Sequence, residues 1–376
     1  MKILHVASFS GNIGDNASHA GFKTILDKFL PHYTVTPLEI RKFYKNYQRS
    51  DKLRFDDSFL RLLKNYDLLV IGGGGFFDYW VPGSETGTTI DIAPAVLEAI
   101  DIPVIISSVG CMPHKDVPPG NIKKFRRFLD ILLAKEKTYV AVRNDGSTQT
   151  LRHFIGPEYA GAIPEIVDHG FFYQNDGHYF RPFEGRYIAI NSTSDQLNMK
   201  NVKVGPVNHE LYHRELRTVI NHVIDNTDLH LAFVPHIYSD VEAIYKILSG
   251  IDDFLLRTRV AIAPYSSGTL ACDQAFSTYR NSELNIGMRF HANVCSIAMH
   301  KPTIGLAALD RVVNVFENMG IGSAAIPVDA EFSGDVVDSI DRALSPETAS
   351  SFLNIPLLEE KKAATISYYE SLFGKL

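Results

Sequence analysis

An alternation of short β-rich runs and helical stretches that halts and then begins again constrains this chain most. Strands are expected at 2–7, 34–40, 67–73, 103–110, 138–143 and 162–168, with stretches of helical period at 17–30, 56–65, 121–135 and 146–155. Such alternation builds βαβ units, which close into a mostly parallel sheet with helices on its faces. Residues 169–185, HGFFYQNDGHYFRPFEG, have no period and read as a linker. The pattern then resumes, with strands expected at 186–191, 229–236, 260–265, 283–287 and 302–307. Helices are expected at 208–226, 239–249, 268–279, 290–300 and 311–319, then near 335–344 and 357–374. The expected fold class is α/β, with two doubly wound Rossmann-like domains facing a cleft. Their expected bounds are 1–175 and 183–376, the C-terminal helices packing back on the first, and 376 residues suit two cores better than one.

Charge and composition exclude several function classes. A net charge of −6 argues against a general nucleic-acid binder. No apolar run approaches the ~20 residues that span a bilayer. The opening MKILHVASFSGNIGD reads as strand and loop, not as a secretory signal, so a cytoplasmic location is expected. Cys111, Cys272 and Cys295 form no CxxC pair; they are expected as core residues, with no disulfide framework and no metal site. One segment is locally basic: RKFYKNYQRSDKLRF, residues 41–55, interleaves lysines and arginines with Phe43, Tyr44, Tyr47 and Phe55. It reads as a solvated connection or as a peripheral contact with anionic lipid at the inner membrane face.

In open α/β sheets ligands bind beyond the carboxyl ends of strands, where helix N-termini offer free amides to anions. After the first strand, SGNIGDNAS brings Asn12 and Asp15 to such a position; its glycine spacing is not GxGxxG, so a dinucleotide is not indicated. Asp15 or Asn16 can cap the following helix. After the third strand, IGGGGFFDYW places Gly74, Gly75 and Asp78 where the backbone must pass close to a neighbour or a ligand. Its aromatics suit either a sugar-facing wall or the core. VRNDGS sets Arg143 at the end of the fifth strand.

In the second half Asn191 ends a strand, His236 follows one, and Asp240 lies early in the next helix. NIGMRFHANV carries Gly287, Arg289 and His291 from a strand into an apolar helix. A cation at a helix N-terminus opposes the macrodipole and costs stability unless an anion is present. An anion is therefore expected among Arg289, His291 and the helix amides.

Taken in order, GNIGDNA, DLLVIGGGGFFD, PVIISSVG, VAVRNDGS, IVD at 166–168 and NIGMRFHANVCSIAMHKPTIGL resemble the polysaccharide pyruvyl transferases over most of the chain. The resemblance implies a GT-B-like pair of domains, acceptor on the first and donor on the second. It also implies transfer of a pyruvyl group from phosphoenolpyruvate to two hydroxyls of a sugar, in a polysaccharide or its lipid-linked precursor, as in exopolysaccharide or capsule synthesis. A cyclic ketal forms, phosphate leaves, and no cofactor or metal is required. By motif, Arg289, His291 and Arg143 correspond to donor-binding residues, with Gly287 beside them; Asn12, Gly74, Gly75, Asp78 and Asn191 are substrate-binding candidates. His291 suits the acid, and Asp15, Asp78 or His236 the base. Where the family has an aromatic and a lysine after PTIGL, this chain reads AALDRVVN, with Arg311 as the available cation. The alternative is a GT-B glycosyltransferase using a nucleotide-sugar, with Arg289 on its diphosphate; a non-catalytic sugar or phosphate binder is a third reading.

Overall fold

A computed structural model describes residues 1–376, apart from the side chain of Thr269. Six strands, β1 (Lys2–Ala7), β2 (Thr34–Glu39), β3 (Leu68–Gly74), β4 (Val104–Val109), β5 (Thr138–Arg143) and β6 (Glu165–Ile166), form one parallel sheet in the order β2-β1-β3-β4-β5-β6. Six more, β7 (Tyr187–Asn191), β8 (His230–Phe233), β9 (Val260–Ile262), β10 (Leu284–Gly287), β11 (Thr303–Ala307) and β12 (Ala325–Pro327), form a second in the order β12-β11-β10-β7-β8-β9. Eleven strands lie where the sequence periodicity puts them. β12, at the edge of the second sheet, is the strand that the sequence pattern does not indicate.

Strands covered on both faces read as continuous apolar runs, and every residue of β3, β4, β7, β10 and β11 is buried. In the first sheet Leu4, Leu69, Ile106 and Val142 share a core with Phe125 and Leu129 of helix Asn121–Ala134. In the second, Tyr187, Ala189 and Ala232 share a core with Phe276 and Cys295. All three cysteines are buried, as expected of core residues.

The chain divides into two compact units: residues 1–9, 22–169 and 361–376 form the first, and 10–21 with 170–360 the second. Helix Ile13–Phe29 begins four residues earlier than its period suggested, so Asp15 lies in its first turn instead of capping it. In the first unit the C-terminal segment is tied down by Thr365, whose hydroxyl accepts from the Val167 amide at 3.0 Å. Tyr369 adds bonds to His169 at 2.6 Å and Ser107 at 2.8 Å.

Candidate active site

Strand order in the second sheet reverses between β7 and β10, the position at which doubly wound sheets bind ligands. Asn191, the last residue of β7, lies in register with Gly287, the last of β10. Its side chain joins three strand ends: Oδ1 accepts from the Arg289 amide at 2.8 Å, and Nδ2 donates to the Val234 carbonyl at 3.0 Å. Gly287 leaves room for Asn293, whose Nδ2 donates to the carbonyls of Gly287 and Arg289. Both site candidates thus shape the backbone that carries Arg289.

Arg289 directly precedes helix Phe290–Ala298, in extended backbone, and is 7% exposed. Its Nε and Nη2 donate to the two oxygens of Asp240, at 2.8 and 2.6 Å. Nη2 also donates to Thr193 Oγ1 at 2.8 Å and Asp195 Oδ1 at 3.1 Å. The anion expected from the sequence is thus present as a protein carboxylate, 49 residues away along the chain. Burial by itself would push the Asp240 carboxyl up, but the hydrogen bonds and charge of Arg289, with the His236 amide, hold it below the ordinary carboxylate range. Burial likewise works against the Arg289 guanidinium, and Asp240 and Asp195 outweigh it and raise its pKa.

His236 is fully buried in the second unit. Its Nε2 meets the Tyr279 hydroxyl at 2.8 Å, and its amide donates to Asp240 at 2.8 Å. Burial pushes its imidazole down to about 3, against the raising effect of Asp240 and with help from Arg289 and His291. At neutral pH it is an uncharged support for Asp240 and Tyr279.

His291 lies in the first turn of the same helix as Arg289's cap, and Asp15 Oδ1 stands 3.7 Å from its Nδ1. Helix Ile13–Phe29 approaches so closely that a β-carbon on Gly14 would lie 2.8 Å from His291 Cβ. Asn12 Oδ1 accepts from the Gly14 amide at 3.0 Å, which fixes this first turn. Alanine at 14 would gain up to ~1 kcal/mol in helix propensity. Gly14→Ala is nonetheless expected to destabilise the protein by about 1–3 kcal/mol through overpacking against the stem of His291. Denaturant melts read this directly, and equal or higher stability would show that the contact can relax.

The first unit builds a parallel arrangement around Arg143, the last residue of β5 and 2% exposed. Arg143 Nε donates to Asp145 at 2.7 Å and Nη1 to Asp168 at 3.3 Å. Burial alone would lower its pKa; the two carboxylates raise it instead. Ser108, held at a φ of 54°, donates to Asp168 at 3.2 Å. Asp78 Oδ1 accepts from the Met112 amide at 2.8 Å, and His114 Nε2 lies 3.7 Å from Oδ2. The glycine run is shaped by protein neighbours: a β-carbon on Gly74 would strike the Phe76 ring, and one on Gly75 the Asp78 carboxylate. Phe76, Phe77 and Tyr79 are core, and Lys115 stands over the Trp80 ring at 4.2 Å.

In segment 41–55, Phe43 and Phe55 stack at 4.1 Å in the core instead of offering an apolar face to lipid. Lys42 and Lys45 pair with Asp51 and Asp91 at 2.8 and 3.0 Å. No described helix is long and apolar enough to cross a membrane. Among the described residues no group of three His, Cys, Asp or Glu side chains is placed to hold a metal. Two further residues of the site, Thr193 and Asp195, lie just past the strand end, following β7 by two and four residues. His114 likewise lies past a strand end, four residues beyond Gly110 in the loop after β4.

Solved structures with the same architecture are far from this chain in sequence. A putative UDP-N-acetylglucosamine 2-epimerase from Listeria monocytogenes is 12% identical, with a TM-score of 0.58 over 98% of this chain and 97% of its own. A glycosyltransferase from Rickettsia africae is 12% identical, with a TM-score of 0.56 over 100% and 96%. The UDP-GlcNAc 2-epimerase of Neisseria meningitidis is 11% identical, with a TM-score of 0.55 over 98% and 100%. At these identities the likeness shows the fold, which is of the GT-B type. A comparison with curated proteins gives no match. The sequence model of one family, Polysaccharide pyruvyl transferase, matches residues 12–310, which include Asn12, Asp15, Arg143, Arg289 and His291, and the chain belongs to that family.

Proposed function

We propose that this protein transfers the pyruvyl group of phosphoenolpyruvate to two hydroxyls of a sugar, with Arg289 and His291 at the centre of the donor site. Membership of the family makes it a transferase acting in polysaccharide modification. The observation that carries the finer reading is the pairing of Arg289 and His291 on one helix N-terminus at the strand-order reversal. Phosphoenolpyruvate brings a carboxylate and a phosphate, groups that an arginine fork and helix amides recognise. His291 delivers a proton to the enol methylene, which becomes a methyl group and leaves an oxocarbenium-like carbon. A sugar hydroxyl adds to that carbon. Phosphate departs, and the second hydroxyl closes the ketal. Of the two hydroxyl protons released, one restores the acid and one leaves with phosphate, so no cofactor enters the balance.

Asp15 faces His291 and is proposed to orient it; Asp78 and Arg143 are proposed for the acceptor and donor sides of the first unit. His236 supports the site from the interior and does not itself meet substrate. The acceptor is proposed to be a sugar of a polysaccharide or of its lipid-linked precursor, in the cytoplasm or at the inner membrane face.

The test is phosphate release from phosphoenolpyruvate across a panel of hexose-bearing acceptors, with mass spectrometry for the pyruvyl ketal. Acceptor-dependent release with the matching mass is expected. Turnover of a nucleotide-sugar instead, with no response to phosphoenolpyruvate, would establish the glycosyltransferase reading. In the active assay His291→Ala is expected to lower kcat by about 10²–10⁴-fold. Near-normal turnover in that variant would remove the acid role from His291.

A further inference from the structure

We infer that Asp195 is a stand-in for the donor: its carboxylate fills an anion seat, made by Thr193 and Arg289, that a carboxylate or phosphate oxygen of the substrate takes over. The inference rests on Arg289 as a donor-binding residue. Two carboxylates share this one guanidinium, and they are held very differently. Asp240 is fully buried, gives both oxygens to Arg289, and accepts further bonds from the amides of His236 and Ile237 at 2.8 and 3.2 Å. It is a permanent counter-ion. The Asp195 side chain is 37% exposed and touches Arg289 through Oδ1 alone, at 3.1 Å. That same oxygen accepts from Thr193 Oγ1 at 2.7 Å.

One oxygen on two donors, an N–H of Arg289 and the hydroxyl of Thr193, marks where an anion binds. Arg289 Nη1 makes no hydrogen bond to any described residue, so an incoming carboxylate or phosphate gains a donor that Asp195 does not use. Residues 192–200 form neither helix nor strand, which lets Asp195 swing away without breaking a regular element. Exposed ion pairs are weakly held, and a ligand that must displace one binds with correspondingly reduced apparent affinity. Asp195 thereby selects for ligands that reach both terminal nitrogens of Arg289 and rejects small single anions.

Calorimetry on the full chain, without acceptor, tests this with phosphoenolpyruvate, pyruvate and inorganic phosphate as probes. Asp195→Asn keeps the shape and removes the charge, and is expected to tighten phosphoenolpyruvate binding roughly two- to fivefold. A residue that merely held the loop in place would weaken binding when replaced. A parallel gain for pyruvate assigns the seat to the donor carboxylate, and a gain for inorganic phosphate assigns it to the phosphate. Unchanged or weaker binding of all three probes in Asp195→Asn, with binding lost in Arg289→Lys, would overturn the stand-in role and leave Arg289 as the donor residue. Undiminished phosphoenolpyruvate binding in Arg289→Lys would overturn both.

Discussion

Arg289→Ala is expected to abolish pyruvyl transfer and also to cost about 3–5 kcal/mol of stability, because it leaves Asp240 buried, ionised and unpaired. The two losses have separate origins and can be separated. A buried pair replaced on both sides by apolar groups is often tolerated, so Arg289→Met combined with Asp240→Leu is expected to recover most of the stability. Activity should stay absent in the double variant, since no guanidinium remains for the donor. Denaturant midpoints with phosphate release, measured on wild type, single and double variants, read both quantities. Activity in the double variant would show that Arg289 serves only as a partner for Asp240.

Acidification is expected to destabilise the protein between pH 6.5 and about 3 through His236. Its imidazole is fully buried with a pKa pushed down to about 3, while in the unfolded chain it takes up a proton near the ordinary value of about 6.5. The unfolded state therefore binds more protons throughout that window, and stability falls as pH falls. The full effect is on the order of 3–5 kcal/mol. Above pH 6.5 the contribution is level. Asp240 acts in the same direction at lower pH, because its depressed carboxyl loses its stabilising charge only in strong acid. His236→Gln cannot charge, so its melting temperature should fall less steeply from pH 6.5 to 4.5 than that of wild type. Parallel slopes for the two proteins would mean that His236 is protonated in the folded state.

Much of this architecture is local, and local order is legible. Strands such as β3 and β10 are apolar runs bounded by glycine, and the helices between them carry their own period. Arg289 and His291 stand out because two basic side chains beside an apolar helix are anomalous wherever the chain goes. The same is true of Arg143 at the end of β5. These observations required only the order of residues and the geometry of single elements.

The partners of those residues are a different matter. Which strands adjoin depends on the whole sheet: β10 lies next to β7, 96 residues earlier by the register of Leu284 with Ile188, only once helices have crossed both faces. That adjacency brings Asn191 and Thr193 to Arg289, and the position of β8 beside β7 brings in Asp240. Nothing near Asp240 in the chain distinguishes it from a surface aspartate opening a helix. Gly14 is similar, since its need for a bare α-carbon arises from His291, far away in sequence. The sequence by itself determined most of the elements and the chemical character of the two arginines and the histidine. Tertiary structure alone decided that Arg289 is neutralised by one buried carboxylate and shared with a second, exposed one, because charge pairing depends on distance in space and the chain sets only distance along itself.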